Sequence, residues 1–292
     1  MKVKIRIGNE VKEYTGAWED HTLLEVFQEL GITQVHAPCG GNGTCKKCLV
    51  TVEGLGEVLS CQTQCKDGMC VTVAEEQKSA IAENGNCYLY PADAGEGLLA
   101  ACDIGTTTVV CHLLDGATGV RLCTVSAPNA QRSFGADVIS RIQASVDSGL
   151  DKLQSAIVDQ INGMLVQLKQ KAGRTEDIRR LAVAGNTVMS HLFCGLSPES
   201  IGVAPFTPLS LFGESYDAKQ IGIEGCETVY VVPSIAGYVG GDIVADLAAV
   251  QMHSSVLAED GEKETLMLDI GTNGEMVLGK SGSYVCCATA AG

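Results

Sequence analysis

Six of the fourteen cysteines in this 292-residue chain fall between Cys39 and Cys70, and their spacing is specific. Cys39-Gly40-Gly41-Asn42-Gly43-Thr44-Cys45-Lys46-Lys47-Cys48 reads C-x5-C-x2-C, and Cys61 follows after twelve intervening residues. Three thiolates in one loop with a fourth further along form the ligand set of a [2Fe–2S] cluster. The glycines have a physical reason. A loop wrapped round a cluster needs positive φ and close backbone approach, so that its N–H groups can reach the cluster sulfurs. A structural zinc site competes with this reading. Zinc knuckles come as paired C-x2-4-C strings, and here only Cys45 and Cys48 have that form. Cys65, four residues beyond Cys61, is a second candidate for the fourth ligand, with Cys61 preferred. Cys70 alternates within an expected strand and reads, like most of the other cysteines, as a small buried hydrophobe.

A second pair of motifs carries different chemistry. Asp103-Ile104-Gly105-Thr106-Thr107-Thr108 ends an apolar strand on a carboxylate, then turns through glycine and hydroxyl residues. Such a turn offers N–H and hydroxyl groups to phosphate oxygens, while the carboxylate holds Mg²⁺ or orients water. Asp269-Ile270-Gly271-Thr272-Asn273-Gly274-Glu275 repeats the device 166 positions later. One such turn is a weak signal; two, each inside a strand–turn–strand–turn–strand pattern, imply two related lobes. Gly274-Glu275-Met276-Val277-Leu278-Gly279-Lys280-Ser281 also matches the Walker A string. A P-loop must leave a strand and open a helix, whereas these residues read as a strand followed by a hairpin turn, so the match is rejected.

The elements that position these groups follow from periodicity. Residues 2–7 alternate, with Val3, Ile5 and Ile7 on one face, and Glu10 to Tyr14 reads as the hairpin partner. Thr22 with Glu25 makes a capping box, Leu23, Val26, Phe27 and Leu30 form an apolar stripe, and Gly31 stands at the C-terminal cap. Strands at 49–52 and 69–73 complete a β-grasp pattern over 1–76. Residues 77–97 read as a polar linker. The rest, 98–292, alternates strands with longer helices: a first lobe at 98–260 and the start of a second at 265–292. It holds helices at 136–145, 151–171 and about 242–250, and strands at 181–184 and 228–232. Leu153, Ile157, Ile161, Leu165 and Leu168 share one helical face and read as core. The fold class expected is α+β.

Composition excludes several classes. With 35 acidic and 20 basic residues the net charge is −15, and no basic run exceeds Lys46-Lys47. Nucleic acid and anionic membrane surfaces are therefore poor partners. The first residues lack the apolar core of a signal peptide, and no stretch has the length of a membrane span. A cytoplasmic setting follows, where clustered cysteines point to metal or redox chemistry rather than disulfides.

Taken together, the chain resembles the reductive activators of corrinoid enzymes, in which a ferredoxin domain is joined to an actin-like domain of the acetate and sugar kinase–Hsp70–actin (ASKHA) superfamily. Phe134 to Arg141, Ala184-Gly185-Asn186-Thr187 and Pro233 to Asp242 are similar to strings of that family. The resemblance implies a mechanism. A corrinoid cofactor that has slipped from Co(I) to Co(II) is returned to Co(I) by one electron from the [2Fe–2S] cluster, with ATP driving an uphill step. A cluster near about −400 mV cannot efficiently reduce a much lower acceptor unaided, since each ~59 mV is a tenfold factor. It also implies residue roles: Asp103, Gly105, Thr106 and Thr107 at one phosphate site, Asp269, Gly271, Thr272 and Asn273 at the other, and Asp242 positioning water or Mg²⁺. The partners implied are a corrinoid iron–sulfur protein or corrinoid methyltransferase component and an upstream electron donor, with a homodimer left open. The gap from Cys48 to Cys61 is shorter than in photosynthetic ferredoxins. The chain also stops at Gly292, soon after the second turn, so a second lobe cut short is expected, which puts its own ATPase activity in question. Two other functions fit less closely: an ATP-independent electron-transfer protein with a non-catalytic cleft, and a small-molecule kinase of the same superfamily.

Overall fold

In the computed structural model, residues 1–8, 10–32, 34, 35, 37, 40–44, 46–74, 95–257, 264–271, 273–280 and 283–290 are described. Cys39, Cys45 and Thr272 lie outside them, as does the expected linker except for residues 95–97.

Strand β1 (Lys2–Ile7) turns Val3 and Ile5 inward and its charged residues outward, and pairs antiparallel with β2 (Glu10–Thr15). Helix α1 (Leu23–Glu29) opens on the expected capping box. The Glu25 amide donates to Thr22 Oγ1 at 3.3 Å, and the Thr22 amide to Glu25 Oε2 at 2.6 Å. Gly31, at φ +66°, ends it in the left-handed conformation that glycine adopts without steric cost. Next come β3 (Leu49–Val52), β4 (Gly56–Leu59), a 3₁₀ turn at Ser60–Gln62 and β5 (Met69–Val73). The sheet order is β2-β1-β5-β3-β4, with β1 and β5 parallel at its centre, the β-grasp topology expected. Strand β4 and the 3₁₀ turn were not anticipated, since neither carries a periodic apolar pattern. Cys70 departs from expectation: it is half-buried on the outer face, because Val71 and Val73 take the inward positions of β5.

The second unit begins with the meander β6 (Leu98–Ile104), β7 (Thr108–Asp115) and β8 (Arg121–Pro128). A 3₁₀ turn (Ala130–Ser133), α2 (Val138–Asp147) and α3 (Leu150–Ala172) lead to β9 (Ile178–Gly185). Helix α4 (Thr187–Cys194), β10 (Ser215–Asp217), α5 (Ala218–Ile221), β11 (Cys226–Val231) and α6 (Gly241–Leu257) follow. The sheet runs β10-β11-β9-β6-β7-β8, with β6, β9 and β11 parallel. The five α3 residues assigned to the core are all at 2% exposure or less and pack beneath this sheet. Helix α4 escaped the sequence reading because Thr187 to Phe193 are all buried, so no polar face marks a helical period.

Strands β12 (Thr265–Ile270), β13 (Asn273–Lys280) and β14 (Ser283–Ala290) repeat the meander. Val277, Met267, Tyr284 and Cys286 pack against Val239 and Ile243, whereas Leu266, Leu268 and Ile270 are exposed on the other face. Gly274 to Lys280 of the Walker-like string lie within β13, and Ser281 falls outside the described residues. No described helix is long and apolar enough to cross a membrane.

Candidate functional site

Two sites emerge, one in each unit. In the first, Cys48 leads into β3 and Cys61 sits in the 3₁₀ turn after β4. The Ser60 amide donates to the Cys48 carbonyl at 2.9 Å, which brings the two thiols to 3.2 Å without a disulfide. Two ligands on one tetrahedral metal stand about 3.7 Å apart when each bond is about 2.3 Å, so the two thiols are near enough to reach one metal, though closer together than a bound one would hold them. The loop before them has the expected backbone. Gly40, Gly41 and Gly43 have φ of +67°, +87° and +81°. Gln62 Nε2 donates to the Gly41 carbonyl at 2.8 Å, and a Cβ on Gly41 would lie 3.8 Å from that of Cys61. Cys65 is buried elsewhere: its amide donates to the His21 carbonyl, and burial pushes its thiol up.

The second site is a cleft of about 430 Å³ between the β6–β7 turn, the start of α4, α6 and the β12–β13 turn. That volume suits a small ligand. Asp103, Gly105, Thr106, Thr107, Asp242, Asp269 and Gly271 all line it, so the two Asp-Gly motifs 166 positions apart face one cavity. Of the other residues assigned to it, Thr272 lies outside the described residues, and Asn273 opens β13 opposite Ala290.

Three further residues belong to this cleft. Asp246 stands one helical turn beyond Asp242 on α6, an i,i+4 spacing visible in sequence. Glu275 is directly across the β12–β13 ladder from Asp269, on the same face. Asn186 caps α4, its Oδ1 accepting from the Met189 amide while Nδ2 donates to Thr106 Oγ1, each at 3.0 Å. Gly240 makes the close approach possible: a Cβ there would lie 2.4 Å from Asn186 Cα and 2.7 Å from Asp242 Oδ1.

Crowded carboxylates resist ionisation. Burial, then the charges of Asp242, Asp246 and Asp269, push Asp103 up to about 7, although it keeps solvent access through the cleft mouth. Burial, with Asp269 and Asp242, raises Asp246 to about 6, and burial with Asp242 and Asp269 raises Glu275 to about 7. Burial also raises Asp242. Among the described residues no three such groups converge closely enough to chelate a bare ion. A cation here would complete its shell with water and ligand oxygens, as Mg²⁺ does with phosphates.

Family models match three successive stretches. A 2Fe-2S iron-sulfur cluster binding domain matches residues 5–76, and the RACo middle region matches 98–255, more than half of the chain. The chain belongs to the RACo family. The C-terminal domain of RACo, the ASKHA domain, matches residues 263–292. This RACo-family chain is 30% identical to the corrinoid activation enzyme RamQ of Eubacterium limosum, over 94% of this chain and 59% of that protein. It is 27% identical to the [Co(II) methylated amine-specific corrinoid protein] reductase of Methanosarcina barkeri, over 65% of this chain and 35% of that one. A solved reductive activator for corrinoid, iron-sulfur protein superposes with a TM-score of 0.60 at 28% identity, covering 98% of this chain and 63% of the other. The chain thus spans about three-fifths or less of the length of these relatives. The fold is a [2Fe–2S] ferredoxin-type β-grasp domain followed by an ASKHA-type α/β domain.

Proposed function

We propose that this chain serves the ATP-dependent reductive activation of a corrinoid protein, returning Co(II) to Co(I) by one-electron transfer. In this reading residues 1–76 are the electron-carrying domain, 77–97 a linker and 98–292 the nucleotide-cleft domain, with lobes at 98–260 and 265–292. Cys39, Cys45, Cys48 and Cys61 hold the [2Fe–2S] cluster, which when bound supplies a one-electron carrier. Asp103, Asp242 and Asp269 manage Mg²⁺ and water, while Gly105, Thr106, Thr107, Gly271, Thr272 and Asn273 receive phosphates. The partners are a corrinoid protein and an upstream electron donor, in the reducing cytoplasm that free thiols require.

The observation that carries this reading is the shared cleft. Two Asp-Gly turns from duplicated meanders meet there, as a phosphate clamp requires, in a chain whose other unit brings two thiols together over a glycine loop. The cleft's raised carboxylates suit a site that takes up a divalent cation with its ligand.

The experiment is anaerobic reduction of a Co(II) corrinoid protein by the dithionite-reduced chain, followed optically with and without Mg-ATP. Iron, acid-labile sulfide, zinc and EPR measurements come first. Two irons, two sulfides and an S = 1/2 signal are expected, with Co(I) accumulating faster when Mg-ATP is present. Equal rates without ATP would replace this reading with ATP-independent electron transfer. Zinc without sulfide would end the redox reading.

A further inference from the structure

The cleft that we read as a phosphate site has an electrostatic difficulty. Five carboxylates line it, and no Lys or Arg is among its described lining residues. A cation does stand directly behind it. Arg141, on α2, is fully buried, and among the described residues no carboxylate pairs with its guanidinium. Its donors go to uncharged acceptors: Nε to the Gly135 carbonyl at 3.0 Å, Nη1 to Met189 Sδ at 2.9 Å, and Nη2 to the Thr106 carbonyl at 2.5 Å. The Asp137 carboxylate attracts it without forming an ion pair, and a buried charge lacking a paired counter-ion is costly unless another part of the system provides one.

The Thr106 contact shows where its effect is felt. A trans peptide points its C=O and the following N–H in opposite directions. With the Thr106 carbonyl drawn back to Arg141, the N–H of Thr107 is directed forward, toward the cleft that Thr107 lines. Asn129 acts alongside, its Nδ2 donating to the Gly105 carbonyl at 2.8 Å and its amide to the Thr107 carbonyl at 2.9 Å. Three successive carbonyls of the turn are thus each held by a donor from the protein.

The geometry points to Arg141 as a positioning residue for bound nucleotide: its guanidinium, acting through the Thr106–Thr107 peptide, orients the phosphate turn and is the counter-charge for a polyphosphate that never touches it. Burial, and secondarily Arg132, lower its pKa to about 9, so it remains a cation at neutral pH. The inference rests on the nucleotide reading of the cleft.

The test is calorimetric titration of Mg-ADP and Mg-ATP into the whole chain and its Arg141→Met and Arg141→Lys variants, beside their thermal midpoints. Methionine retains the apolar stem and removes the charge and fork; lysine keeps the charge alone. Losing a charged hydrogen-bond donor predicts affinity about tenfold to a hundredfold weaker in Arg141→Met, partly recovered in Arg141→Lys. A folded Arg141→Met chain that binds as tightly as the parent, whatever its midpoint, overturns the inference and leaves Arg141 a structural residue only. Should Arg141→Met not fold, ¹⁵N-arginine NMR of the parent decides. The Arg141 Nε–H resonance is expected to be protected from exchange and to shift on adding Mg-ADP; an unmoved resonance overturns the proposal. Failure of the parent chain to bind either nucleotide is a distinct result that removes the nucleotide reading and the inference with it.

Discussion

At the residue scale the fourth-ligand question becomes concrete. Cys61 stands 3.2 Å from Cys48 beside the glycine loop, whereas Cys65 is buried against the His21 segment. Cys61→Ser is therefore expected to lose iron, sulfide and the reduced EPR signal, while Cys65→Ser keeps all three. Retention in the first and loss in the second would reverse the assignment. The cleft carboxylates make a second prediction. Asp103, Glu275 and Asp246 are raised to about 7, 7 and 6 in the folded chain. Protons are then held more tightly in the folded than in the unfolded state. Stability is fully present below the unfolded values near 4, and declines as pH rises through 6 to 7. Calorimetry should show the midpoint of the cleft domain falling from pH 5 to pH 8, with Mg²⁺ restoring more at pH 8 than at pH 5. Asp103→Asn should flatten the profile and raise the midpoint at pH 8, by an amount that solvent screening of this exposed group keeps small. A midpoint that rises with pH would contradict the crowding.

At the element scale, the two hydrophobic cores are separate sets of residues, one under the β-grasp sheet and one under the six-stranded sheet. Ile157 is fully buried on α3 in the second. Ile157→Ala should cost the cleft domain about 2–5 kcal/mol and leave the cluster EPR spectrum unchanged, as two calorimetric transitions and one spectrum would test. Gly240 sets the junction of α4 and α6. A methyl group there collides with backbone at 2.4 Å, so Gly240→Ala should push Asp242 out of register. Nucleotide affinity should fall more than tenfold while the cluster content stays constant.

At the scale of the whole molecule, the net charge of −15 shapes encounter with any partner. Long-range attraction between an acidic chain and a basic docking face is screened beyond about 8 Å at physiological ionic strength. The association rate with a corrinoid protein should therefore drop several-fold between 50 and 300 mM salt, with little change in dissociation. A salt-independent rate would place docking on an uncharged surface.

Much of this was legible from local sequence, because the signals were local. The alternation in β1, the Thr22–Glu25 box, the stripe of α3 and the C-x5-C-x2-C loop each encode one element through its own period or spacing. The two Asp-Gly turns were visible for the same reason, each closing a strand within its own short stretch. Tertiary structure decided what depends on distance across the chain. Nothing in the periodicity of α4 marks it as a helix, because burial on every side removes the polar face. Glu275 became a cleft residue through ladder register with Asp269, and Asp246 because α6 lines the cavity with its Asp242 face. The meeting of Cys61 with Cys48 likewise rests on a 3₁₀ turn whose Ser60 amide reaches Cys48 at the end of the β3–β4 ladder. Spacing specifies which side chains are available; only packing specifies which of them meet, because a contact distance depends on how separate elements stack, and no single stretch of sequence contains that.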